Sequence, residues 1–367
     1  MYGYFHTPLR YAPGMGSISL GTLLTNAFRT RVEADGGTVE ATSYLKSTIT
    51  SLGTTLTDSD FSVLPHGYKA FKLYAFTDDA ADDLTFQRAS TSTRVNSAGL
   101  IETVSSNIPR IDYKVIDAPV ILVEPQSTNL VTHSTDISDS SYTIIRASVI
   151  DNGITTPIDG QTAQKVVATS ATGNHFLREI VSNPTASTYT VSAFIKKAGC
   201  NVALRVTGAS FSNRIEWQID LSDGSDINFT QAGTFSGTTS VEALANDWFR
   251  VEAVITLSSS DTKLESSFFV LNPANNNVGG WTGDDASGFY LAGYQIENRS
   301  GATSYIPTSG TAVTRVADTV QRFNLPIGSD TVVATFEDGT TDVTTGGGGL
   351  ATYTLPVGRI KSVIQIP

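Results

Sequence analysis

A chain of 367 residues is long enough for two or three domains and for a well-filled core. Its net charge of −11, with no basic block, argues against direct nucleic-acid binding, and no run approaches the roughly 18 apolar residues of a membrane span. Charged residues make up only 16%, so Ser, Thr, Gly and Asn fill the polar positions, which suits sheet surfaces and tight turns better than long helices. The start, Met1-Tyr2-Gly3-Tyr4-Phe5-His6, has neither a basic nor an apolar stretch, so no secretory leader is expected. The single cysteine, Cys200, leaves no intrachain disulfide and no cysteine-based zinc site, and reads as a buried strand-end residue.

Met1 to Gly16 mixes aromatic, Pro and Gly residues without a period and reads as an extended arm. Val39, Tyr44, Leu45, Thr48, Ile49 and Leu52 then fall on one helical face after Gly36-Gly37, which predicts a helix of about 12–16 residues. In the Phe61 to Phe76 stretch, Lys72 and Tyr74 alternate with Phe71 and Leu73 as in a short strand, and Asp78 to Asp83 reads as a solvated acidic loop. Leu84 to Tyr113 holds two short strands around an Asn96-Ser97-Ala98-Gly99 turn. Arg88 and Arg94 flank its Ser/Thr run. Pairing to carboxylates such as Glu102 or Asp112 is the plainer reading of these arginines; a sugar- or phosphate-binding role is the sharper one.

From Ala118 to about Val320, short β segments alternate with Gly, Asn, Asp and Ser clusters. Alternation is clearest in Ile215-Glu216-Trp217-Gln218-Ile219-Asp220-Leu221, which places Ile215, Trp217, Ile219 and Leu221 inward. Regular short strands with turns between them predict a mainly β fold, an antiparallel β-sandwich or jelly roll. Asn324 to Pro367 reads as a small antiparallel β module, with too little apolar content to stand alone. The expected domains are 1–83, an anchoring and oligomerisation region with one helix; 84–320, the sandwich with its leading hairpin; and 321–367, the small β module.

The four histidines, His6, His66, His133 and His175, lie far apart without metal-ligand spacing. HExxH, GxSxG, Walker A and GxGxxG patterns are absent, and Gly346–Gly349 lacks the Lys-Ser/Thr of a phosphate loop. The adjacent acids Asp78-Asp79 and Asp284-Asp285 are a poor match to the separated carboxylates of a glycosidase. The chain is therefore expected not to be an enzyme and to need no cofactor. Carbohydrate binding is the better candidate, since sugars stack C–H faces on aromatic rings and bond through acid and amide side chains. Asn277, Trp281, Asp284, Asp285 and Tyr290 offer that chemistry in one stretch. Trp281 fits either a sugar platform or a loop anchor packed on the sandwich edge. Asp284 and Asp285 are also candidates for a structural calcium.

Several motifs occur in a fixed order: Gly67-Tyr68-Lys69 with Lys72-Leu73-Tyr74, Arg88-Ala89-Ser90-Thr91, Asn107-Ile108-Pro109-Arg110-Ile111-Asp112-Tyr113, Glu124-Pro125-Gln126-Ser127-Thr128-Asn129-Leu130, Tyr305-Ile306-Pro307-Thr308-Ser309-Gly310 and Thr314-Arg315-Val316-Ala317-Asp318. This set, running from about Tyr68 to Asp318, resembles bacteriophage virion fibre proteins, the head-fibre (head-spike) and tail-fibre subunits with a lectin-like sandwich. Ser187 to Lys196, Asp247 to Val251 and Tyr290 to Glu297 are similar to strands of carbohydrate-binding-module-like sandwiches. The resemblance implies a virion component made in the host bacterial cytoplasm. It implies a homotrimer, with a dimer second, anchored to capsid or to tail and portal proteins, and exposing its sandwich to host-surface or mucus glycans. Its rivals are a purely structural capsid-decorating protein and, less favoured, a polysaccharide-degrading tailspike. An exposed Trp281 would favour adhesion, and a buried one decoration.

Overall fold

The computed structural model describes residues 20–40, 61–75, 83–115, 118–185, 187–258, 261–323, 331–345 and 352–366. The arm at Met1–Gly16 and residues 41–52 of the expected helix lie outside these; Val39 itself belongs to a two-residue strand, Thr38–Val39. A helix that the sequence reading did not anticipate covers Leu20–Ala34. Phe28 and Val32, one turn apart on it, are buried. They pack over Gly67, where a Cβ would stand 2.6 Å from the Phe28 ring. The helix closes at Gly36, with φ of +72°, and the amides of Gly36 and Gly37 return to the carbonyls of Glu33 and Val32.

The centre of the chain is an antiparallel β-sandwich, as its strand pattern predicts. One six-stranded sheet runs in the order Thr143–Ile145, Phe176–Ser182, Lys263–Val270, Val202–Thr207, Arg214–Ile219, Asp226–Ala232. The second runs Ala147–Thr155, Thr162–Ala168, Gly288–Glu297, Thr188–Ala198, Trp248–Thr256, Ser236–Ala243. The chain crosses between them repeatedly, as in a jelly roll. Ile215, Trp217, Ile219 and Leu221 are all buried, as their alternation requires, and share one core with Tyr189, Val191, Ile195, Val251 and Ile255 of the second sheet. The Trp217 ring is fully buried, and its Nε1 donates to Asp226 at 2.6 Å, so the polar end of the indole is satisfied.

A third sheet, of eleven strands, gathers both ends of the described chain. Its main path is Thr341–Thr345, Thr331–Phe336, Gly358–Ile366, Phe61–Lys69, Lys72–Ala75, Leu84–Gln87, Thr319–Phe323, Thr352–Thr354. Strands on both sides of the expected boundaries at 83/84 and 320/321 share it. Val63 pairs with Val363, and the sheet carries its own core around Phe86, Ile121, Val320 and Ile360. The sandwich leaves and rejoins this base through a two-stranded neck, Ser127–Asn129 paired with Val313–Arg315. The hairpin Ser92–Val95 with Ile101–Val104 turns at Gly99, φ +78°, where the Asn-Ser-Ala-Gly stretch places it. Ile101 of this hairpin packs with Phe194, Trp248, Ala292 and Tyr305 on the outer face of the second sheet.

Base and sandwich are locked together by a buried ion network assembled from the sequence motifs. Arg88 donates to Asp318 at 3.0 Å and to the carbonyls of Ser90, Ser105 and Ile108. Arg110 reaches both Asp318 and Glu124, and Arg315 reaches Glu124 at 2.6 Å. The side chains of Arg88, Arg110 and Asp318 are wholly inaccessible to solvent. Ser304 completes the cage, donating to Glu124 from its hydroxyl at 2.7 Å and from its amide at 2.8 Å. Burial pushes the Glu124 carboxyl up, but Arg110 and Arg315 outweigh it and hold it at about 2. Arg94 pairs with Glu102 at 2.7 Å as expected, and also with Glu40. Arg88 takes neither Glu102 nor Asp112. It precedes the hairpin ladder and turns into the junction, while Asp112 accepts from Arg359 at 2.6 Å.

Candidate functional site

The five side chains proposed from sequence do not form one site. Trp281 belongs to a two-residue strand paired with Thr172–Gly173, and its ring joins the sandwich core at 9% exposure. The His175 ring meets it edge-on, with centroids 4.7 Å apart. Trp281 is therefore the edge anchor and not an open sugar platform: the ladder at Gly173 draws its ring inward. Asp284 and Asp285 shape the following turn. Asp284 accepts from the Ser287 hydroxyl and from the amides of Ser287 and Ala286, and these bonds hold its carboxyl at about 2. Asp285, at φ of +56°, accepts from the Ser170 amide at 2.9 Å. Among the described residues no cluster of three or more His, Cys, Asp or Glu suited to a metal ion converges on them. Asn277 is exposed, in a turn where its amide donates to Asn275. Tyr290 faces away from the core that holds Trp281, and the Lys165 ammonium 5.9 Å from its ring donates to the Ala286 carbonyl of the aspartate turn. Its strand neighbours Phe289 and Leu291 enter the core, while Tyr290 packs with the cluster on the outer face of the second sheet.

The outer face of the first sheet is different. The hairpin and base gather on the second sheet, whereas this face is dressed by the sandwich's own loops. Register places Arg178, Ser267, Arg205 and Glu216 in one cross-strand row, and Phe176, Phe269, Ala203 and Gln218 in the next. The Phe176 and Phe269 rings meet at a tilt of 32°, with centroids 4.6 Å apart. The Arg205 guanidinium lies 4.2 Å from the Phe269 centroid and 5.4 Å from that of Phe211, and its Nε donates to Glu216 at 2.7 Å. Gln218 donates to Glu216 at 3.2 Å, and Arg178 to Glu265 at 2.9 Å. Phe211 is 60% exposed, with Arg214 a further 4.6 Å neighbour. An open ring beside fixed guanidinium–carboxylate forks supplies both a stacking face and oriented hydrogen bonds. The sequence reading missed Phe211. Its signal is an aromatic residue alone in the polar turn Gly208-Ala209-Ser210-Phe211-Ser212-Asn213.

Burial pushes the Glu179 carboxyl up to about 7, toward the range of a general acid. It shares a strand face with Leu177 and Val181, which pack into the sandwich core, and not with the outward row.

No protein-family model matches this sequence, and no curated protein matches it. Solved structures match in part. The enzymatically active domain of tailspike protein 4 from bacteriophage CBA120 is similar at 9% identity and a TM-score of 0.29, over 46% of this chain and 21% of that one. The chain thus spans about a fifth of that domain's length. A putative sugar binding protein from Bacteroides thetaiotaomicron is similar at 10% identity and a TM-score of 0.25, over 48% of this chain and 99% of that one. A carbohydrate-binding module described for specific mannan recognition is similar at 11% identity and a TM-score of 0.25, over 49% and 98%. Likenesses of this extent leave function to be read from the surface itself.

Proposed function

We propose that the chain is a subunit of a phage virion, a head fibre or tail-associated fibre, whose sandwich binds host or environmental glycans without turning them over. The motif order supports the virion assignment. The outer face of the first sheet carries the glycan reading, because Phe211 stands open there beside Arg205 and the Arg205–Glu216 fork. A homotrimer anchored on capsid or tail proteins would multiply a weak single-site affinity into useful avidity. Phe211→Ala is expected to weaken glycan binding roughly tenfold, as loss of an aromatic contact of about 1 kcal/mol or more implies, with the unfolding midpoint unchanged. Glycan-array titration of the wild type and this variant reads it. Undiminished binding by the variant would remove the open face from the site.

A second reading, decoration without a ligand, is favoured by the burial of Trp281. Cryo-electron microscopy of whole virions separates the two. Density at the tail or portal end, with glycan binding sensitive to Phe211, supports adhesion; density on capsomers with no glycan bound supports decoration. Absence of the chain from virions would sink both.

A further inference from the structure

We infer that the chain carries a second ligand site, a cleft for an acidic saccharide where sandwich, hairpin and base meet; this rests on the glycan-binding reading above. The cleft encloses about 320 Å³, near the lower end of small-molecule sites, roughly 300–1,000 Å³. It opens to solvent past Ser300 and Val357, both exposed. In a chain of net charge −11, its wall carries Arg94, Lys114, Arg250, Arg299 and Arg359 against two carboxylates, Asp112 and Glu124.

Those carboxylates are already engaged. Asp112 accepts from Arg359 and from the amides of Val95 and Lys114, and Glu124 belongs to the buried network. Three of the cations are neutralised as well: Arg94 by Glu40 and Glu102, Arg359 by Asp112 and Glu337, and Lys114 by Glu242 at 2.8 Å. Arg250 and Arg299 are not. Arg250 donates to the Thr303 carbonyl and lies 5.6 Å from the Phe194 centroid; Arg299 donates to the Gln126 carbonyl at 3.3 Å. Glu242 stands opposite Arg250 in the ladder but gives its carboxylate to Lys114, and Glu252 accepts from the Ala302 amide. Among the described residues, neither guanidinium has a carboxylate partner.

A carbonyl answers one N–H but not the charge. Two guanidiniums with donors to spare, on the wall of a solvent-open cavity, call for an anion that can accept from a planar fork. The cavity is roomier than an inorganic anion needs, and a sugar ring bearing a carboxylate or sulfate supplies both the charge and the bulk.

The test is isothermal titration of the full chain with four probes: an oligogalacturonate, a sulfated oligosaccharide, a neutral oligosaccharide of matched length, and sodium sulfate. The carboxylated or the sulfated sugar should bind. Arg299→Gln, and separately Arg250→Gln, should weaken that binding about 10- to 100-fold, the range for losing a charge-assisted bond. Arg299→Gln is the safer variant, since Arg299 gives up a single long bond to the Gln126 carbonyl, whereas Arg250 also packs against Phe194. Equal binding of the neutral sugar, equal binding of sulfate alone, or a folded Arg299→Gln protein with wild-type affinity would overturn the cleft. Acidic-sugar binding lost only in Phe211→Ala would move the anion to the open face and spare the adhesion reading. Silence from every saccharide would sink both.

Discussion

Replacing Asp318 by Ala is expected to cost about 3–5 kcal/mol of folding stability, read as a fall in the denaturant midpoint at constant slope. Asp318 is inaccessible to solvent and accepts from both Arg88 and Arg110, themselves fully buried. Removing it strips one countercharge from two guanidiniums that water cannot reach. Arg110 retains Glu124, but Arg88 is left with carbonyls only. A partly exposed comparator calibrates the effect. Glu102→Ala breaks a pair with Arg94 in which the carboxylate is 29% exposed and Arg94 keeps Glu40, so a loss of at most about 1 kcal/mol is expected. If Asp318→Ala cost no more than that comparator, the network would not be holding base to sandwich. The same cluster sets a pH limit. The Glu124 carboxyl is held down at about 2 from an ordinary 4.5, so its contribution is complete above 4.5 and is lost as pH falls through 2.

Trp217→Ala should be comparably damaging, again about 3–5 kcal/mol, through the cavity left where the two sheets meet. The ring is fully buried among side chains of both sheets. The substitution also deprives Asp226 of the indole N–H. Trp217→Phe separates the two effects, because it keeps most of the apolar volume and loses the hydrogen bond. A smaller cost of about 1–3 kcal/mol is expected there. Thermal unfolding of the three proteins side by side would decide it. A Trp217→Ala protein within 1 kcal/mol of wild type would mean that the sheets collapse onto the gap.

The sandwich was legible because its signal is local. A period of two in Ile215 to Leu221 states which side chains enter a core without knowledge of the partner strand. The ion network was legible only as a set of recurring motifs. Its partners lie 230 residues apart in the case of Arg88 and Asp318, so the nearer Glu102 and Asp112 were the natural expectation. Trp281 stayed open between platform and anchor because its environment is non-local too. A lone indole in a polar loop looks free until the Thr172–Gly173 strand and His175 close over it. The helix at Leu20–Ala34 has Phe28 and Val32 at helical spacing, but its docking surface at Gly67 gives no warning in sequence. Phe211 could have been found, since a polar turn with a single aromatic residue needs a reason for it.

The third sheet also constrains how the molecule can be made. Phe61 pairs with Gln365 and Val63 with Val363, strands whose synthesis is separated by about three hundred residues. At ribosomal rates of about 5–20 residues per second, the first waits on the order of 15–60 s for the second. The sandwich strands, from Thr143 to Glu297, emerge inside that interval and can close meanwhile. The edge of Phe61–Lys69 that will face Gly358–Ile366 cannot. It waits with open amides and carbonyls, within reach of the same edge on neighbouring nascent chains. Crowded polysomes should therefore be where this protein is lost to aggregation, through the base that later holds it together.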